Sequence, residues 1–138
     1  MELIWPQLPA FEYLTRYLMY LLSGVVLLLG FAQVYVRFTP YNELALIRAG
    51  HMAAALSFGG ALIGFALTLA SSAIFNASVV AYWGWALLAM LVQLIAYLAM
   101  TRIIPNLHAA LEANNVAVGA FLGAVSLTIG IINAACLS

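Results

Sequence analysis

Four stretches of the chain, at about 17–36, 49–75, 79–100 and 116–137, each run for about twenty residues or more without one charged side chain. That feature leaves few folds open. The hydrocarbon core of a bilayer is ~30 Å thick and a helix rises ~1.5 Å per residue, so about 20 apolar residues cross it once. Composition agrees: 67% of the 138 residues are hydrophobic and 6% charged, with a mean hydropathy of +1.14. A soluble domain covers itself with about a quarter charged residues. The fold class expected is therefore an all-α membrane protein, with four transmembrane helices arranged as two tandem helical hairpins in a single membrane domain, 1–138. The start, Met1-Glu2-Leu3-Ile4-Trp5-Pro6, lacks the basic region and cleavage site of a secretory signal, and is read as mature sequence.

The breaks between spans carry their own signals. Arg37-Phe38-Thr39-Pro40-Tyr41-Asn42-Glu43 separates spans one and two, and Arg102-Ile103-Ile104-Pro105-Asn106 separates three and four. An arginine is expected to stop each outgoing helix. Proline disfavours helix at the residue before it, and Asn42 and Asn106 are good N-caps for the helices that follow. Asn76-Ala77-Ser78 turns the chain between spans two and three. Tyr82, Trp83, Trp85 and Trp5 read as interfacial anchors. Arg37, Arg48 and Arg102 fall on one side and Arg16 on the other, so the positive-inside rule puts both termini in the periplasm.

Arg37-Phe38-Thr39-Pro40 aligns with Arg102-Ile103-Ile104-Pro105, Gly50-His51-Met52-Ala53 with Asn114-Asn115-Val116-Ala117, and Gly59 with Gly123. The chain thus reads as an internal repeat, 10–76 and 77–138. Two spans return a chain to its starting side, so the copies are expected to be parallel rather than inverted. Gly60 and Gly64 in one copy, and Gly119 and Gly123 in the other, form the small-residue faces that let helix backbones approach closely. Spans two and four are the expected central contact, with spans one and three, richer in Leu, Val, Tyr and Met, outside. Thr68, Ser72, Asn76, Ser126 and Asn133 continue these faces, either as interhelical hydrogen bonds or as the lining of a polar path.

Little in the sequence suggests catalysis. Net charge is zero with no basic block, which excludes nucleic acid as a partner. The single cysteine, Cys136, gives no disulfide or zinc spacing and reads as an apolar filler. His51 and His108 sit on the same side, but no companion ligand accompanies either, so no cofactor or metal is expected. Glu12 and Arg16, at i and i+4, neutralise each other locally. Glu43, Arg48 and Glu112 stand where spans two and four enter the membrane. They are candidate partner contacts, though boundary charges are usually solvated or snorkelling.

Asn42-Glu43-Leu44, the run Leu46-Ile47-Arg48-Ala49-Gly50-His51-Met52-Ala53-Ala54-Ala55-Leu56, the segment 59–64 and the ending Asn133-Ala134-Ala135-Cys136 resemble the YjfL-like family of small bacterial inner-membrane proteins. The resemblance covers nearly the whole chain. That family commonly has Asn where His51 stands in the first half, as Asn115 does in the second. The resemblance implies a multi-pass protein of the bacterial inner membrane, associated in some cases with envelope-stress genes, and implies no catalytic residues. The expected function is a non-enzymatic structural or accessory component that assembles through its small-residue faces, as a homo-oligomer or as a subunit of a larger membrane complex. The alternative is an oligomeric channel or small-solute transporter lined by the polar stripes of spans two and four.

Overall fold

A computed structural model of the chain describes residues 10–138. Trp5 lies outside the described residues. The described elements are α1 (Ala10–Phe38), α2 (Glu43–Arg48), α3 (Met52–Phe75), α4 (Val79–Ile103), α5 (Leu107–Glu112) and α6 (Val116–Cys136). Four of them, α1, α3, α4 and α6, are long and apolar enough to cross a membrane. The expected all-helical, four-span class is thus observed.

Two boundaries differ from expectation for the same reason. α1 continues past Arg37, and α4 continues past Arg102. Arginine in a last turn faces the negative end of the helix dipole, so it favours the end of a helix without terminating it. Spans two and four, in turn, do not begin at Asn42 and Asn106. Each is preceded by a separate helix of six residues, closed by the same pair of hydrogen bonds. After α2, the N–H of Gly50 donates to the Ile47 carbonyl at 3.0 Å and that of His51 to Leu46 at 3.0 Å. After α5, Asn114 donates to Leu111 at 3.1 Å and Asn115 to Ala110 at 2.9 Å. Such closures need a left-handed residue just past the helix, and Gly50 (φ 86°) and Asn114 (φ 58°) supply it.

Capping follows the sequence in one half only. Asn42 accepts a bond from the Ala45 N–H at 3.1 Å and caps α2. Asn106 does not cap α5: it adopts φ 57°, and its side chain makes no cap bond. The turn after Pro105 needs a left-handed residue, and Asn tolerates that conformation better than most L-residues.

α3 forms the middle of the bundle. Half of its most apolar window is buried, against 17% for α1 and 28% each for α4 and α6. Phe31 stacks on Phe65 at 4.5 Å between centroids, and Tyr35 packs on Phe58 at 5.6 Å and on Tyr97 at 5.3 Å. Tyr82, expected as an interfacial anchor, is instead buried with its ring edge-to-face on Tyr20 at 5.2 Å. Gly24 makes room for it, since a Cβ there would meet the Tyr82 hydroxyl at 3.1 Å. Cys136 is exposed, not packed as a filler.

Candidate functional site

Small residues bring α3 and α6 into backbone contact. A Cβ on Gly60 would fall on the backbone of Gly123, and one on Gly119 on the backbone of Ala53. A Cβ on Gly123 would strike the Leu56 carbonyl, and one on Gly64 would lie 2.6 Å from the Ser126 carbonyl and 2.8 Å from Gln93 Nε2. Gly130, further along α6, meets Gly64 directly. All these contacts lie within one chain. The faces expected to join copies of the protein are therefore covered by its own helices. Gly59, the sequence counterpart of Gly123, is the exception, because a Cβ there meets nothing within 4 Å.

The polar stripe belongs to the same seam. Thr68 donates to the Gly64 and Gly130 carbonyls, both at 3.3 Å, and Ser71 donates to the Ala134 carbonyl at 2.7 Å. Gln93 Nε2 donates to the Ser126 carbonyl at 3.0 Å, tying α4 to α6. Asn76 Nδ2 turns back on Ser72, donating to its carbonyl at 2.9 Å and its hydroxyl at 3.2 Å. Thr68, Ser72 and Ser126 are buried, while Asn133 is half-buried with its amide nitrogen unpartnered among the described residues. Within this chain the stripe stitches helices together.

A second polar region lies at the end where α2 and α5 sit, and sequence reasoning missed it. Glu43 is only 1% exposed, and neither carboxylate oxygen has a hydrogen-bond partner among the described residues. The expectation of a solvated boundary charge is overturned. α2 is short and turned at both ends, by Pro40 and Gly50, so its first residue points into the bundle. Around Glu43 stand Tyr35 from the end of α1, Thr39 and Tyr41 from the linker and Tyr97 from α4, with Ser57 of α3 beside Tyr35. Thr39 spends its hydroxyl proton on the Val36 carbonyl at 3.0 Å, with the Tyr41 carbonyl at 3.4 Å. The hydroxyls of Tyr35, Tyr41 and Ser57 are buried without partners among the described residues. Tyr97 Oη lies 3.1 Å from His108 Nδ1, and Tyr41 packs on the same imidazole at 5.9 Å.

Burial governs the electrostatics of this chamber. It pushes the Glu43 carboxyl up from 4.5 to about 7. It also holds the Tyr41 hydroxyl well above the usual phenol range, so that residue stays neutral. Arg48 and Glu112, grouped with Glu43 in the sequence, are exposed instead. The remaining signal was faint: Tyr35 and Tyr97 stand near the ends of spans one and three that adjoin α2 and α5, where a polar ring can point into the bundle as readily as toward lipid.

Residues 6–137 match the family described as Domain of Unknown Function (DUF350). The chain belongs to the DUF350 family. Two curated relatives agree, both named UPF0719 inner membrane protein YjfL, from Escherichia coli strain K12 and from Escherichia coli O157:H7. Each is 35% identical over 119 residues, which is 86% of this chain and 90% of the relative. No solved structure matches. This DUF350 protein is accordingly a multi-pass protein of the inner membrane, as the YjfL resemblance implied.

Proposed function

We propose that this protein is a non-enzymatic accessory component of the bacterial inner membrane, a four-span framework that assembles into a homo-oligomer over the outer faces of α1 and α4. The observation that carries the reading is the closed seam between α3 and α6. Its glycines and hydroxyls are spent on holding the chain together, so an assembly has to use other surface. α1 is the least buried of the four spans, with Leu22 and Leu29 each 62% exposed. The seam also weakens the channel alternative, since Thr68, Ser72 and Ser126 line helix contacts and not an open path.

Two further parts belong to this proposal. The chain is read as two parallel copies of one unit, 10–76 and 77–138. The order long helix, short helix, long helix and the identical closures of α2 and α5 support that. Both termini are read as periplasmic, because the ends bearing Arg37, Arg48 and Arg102 would then face the cytoplasm. The envelope-stress setting is tested by asking whether deletion changes survival under membrane damage.

Native mass spectrometry of the protein released with its surrounding lipid tests the assembly. A single homo-oligomer is expected. A stoichiometric foreign subunit would replace the homo-oligomer with a mixed complex, and a bare monomer would overturn assembly altogether. Ion or solute flux in vesicles that is lost on Ser72→Ala would overturn the structural reading in favour of the channel.

A further inference from the structure

We propose that the chamber around Glu43 is a proton-binding site, in which this one carboxyl is reversibly protonated from the aqueous phase at the α2 and α5 end of the protein.

The surroundings of the carboxyl decide its charge. Glu43 is 1% exposed and both its oxygens lack a hydrogen-bond partner among the described residues. An ionised carboxylate in such a place needs a compensating positive charge. The groups that face it are Tyr35 from α1, Thr39 and Tyr41 from the linker and Tyr97 from α4. Ser57 of α3 stands behind Tyr35, and His108 of α5 behind Tyr97. Among the described residues, the groups around it are the hydroxyls of Thr39, Tyr35, Tyr41, Tyr97 and Ser57 and the His108 imidazole, with no arginine among them. The arginines of that end, Arg37, Arg48 and Arg102, are not buried beside it. A proton on Glu43 removes the charge and turns one oxygen into a donor. The hydroxyl oxygens of Tyr35 and Tyr41, buried without partners among the described residues and near enough to interact electrostatically with Glu43, are the candidate acceptors.

Access is short. Tyr97 Oη contacts Nδ1 of the half-buried His108, which joins the chamber to the surface of α5. The raised affinity of Glu43 for its proton, to about 7, brings the exchange close to neutral pH. A metal ion is a poorer occupant, because no group of three or more His, Cys, Asp or Glu is gathered among the described residues. A sodium ion would meet the same oxygens, and the experiment separates the two.

The full chain in lipid vesicles is titrated while its carboxyl C=O stretch is followed by infrared difference spectroscopy. One protonated carboxyl is expected to persist well above the range of ordinary carboxyls, to titrate with a midpoint near 7, and to vanish in Glu43→Gln. The chain has four acidic side chains, Glu2, Glu12, Glu43 and Glu112. Should Glu43→Gln fail to insert, the triple variant Glu2→Gln, Glu12→Gln, Glu112→Gln leaves Glu43 as the sole acidic side chain and must keep the signal. Loss of the signal in that variant would overturn the assignment, as would a midpoint near 4.5. A midpoint that falls when choline chloride is replaced by sodium chloride at equal ionic strength would identify a sodium site and overturn the proton site.

Discussion

At the scale of single residues, Glu43 is expected to make the stability of the protein depend on pH. Its folded-state affinity for a proton is higher than that of an exposed carboxyl, so between pH 4.5 and about 7 the native state binds more protons than the unfolded state. Stability therefore falls as pH rises through that window, and the penalty is complete above it. Glu43→Gln removes the charge. At pH 8 the variant is expected to be more stable than wild type by about 3 kcal/mol, taking ~1.4 kcal/mol for each tenfold difference in proton affinity between the folded and unfolded chain. At pH 4 the two should melt together. Thermal unfolding in detergent at both values checks this, and equal differences at both would show that the effect is not the ionisation of Glu43. The burial of Glu43 was hidden in the sequence because charge and position alone describe a boundary residue. The inward turn comes from the brevity of α2, which no periodicity over six residues can reveal.

At the scale of elements, the entry to α3 is the informative place. His51 precedes α3 without capping it, and the Ala53 N–H is instead satisfied by Asn114 Oδ1 at 3.0 Å. Asn115 caps its own helix α6 through the Val118 N–H at 3.3 Å. Asn114→Gly keeps the left-handed backbone and removes the cap, and should cost about 1 kcal/mol. Asn114→Ala adds the strain of φ 58° and should cost about 1–2 kcal/mol more. Chemical denaturation of the two variants in micelles orders them, and a milder Ala variant would remove the backbone part of the account. The four spans were legible because apolar length is a local property. The two short helices were not, because their ends depend on hydrogen bonds five residues apart and on Gly50 and Asn114 turning left-handed. His51 need not cap α3, because the cap comes from the other half of the chain.

At the scale of the whole molecule, one seam holds the two halves together. Gly60→Leu forces a side chain into the Gly123 backbone and should destabilise the protein by about 1–3 kcal/mol or more, whereas Gly59→Leu enters open space and should be close to neutral. Thermal melts of the two variants make the comparison, and similar losses would place the seam elsewhere. Residues 1–76 and 77–138, produced as separate polypeptides in the same cells, should copurify, and Gly60→Leu should separate them. The glycine faces were readable from spacing. Their use inside one chain was not, because a small-residue face is equally able to meet a neighbouring helix or a neighbouring molecule.

The bond from Asn114 to Ala53 also sets an order of events during synthesis. Its two ends are 61 residues apart, with all of α4 and α5 between them. When α3 first leaves the ribosome and enters the bilayer, its leading turn has an open N–H that only a later part of the polypeptide can close. The first pair of spans is thus inserted in a provisional form. It reaches its final state when the ribosome has delivered the turn before α6.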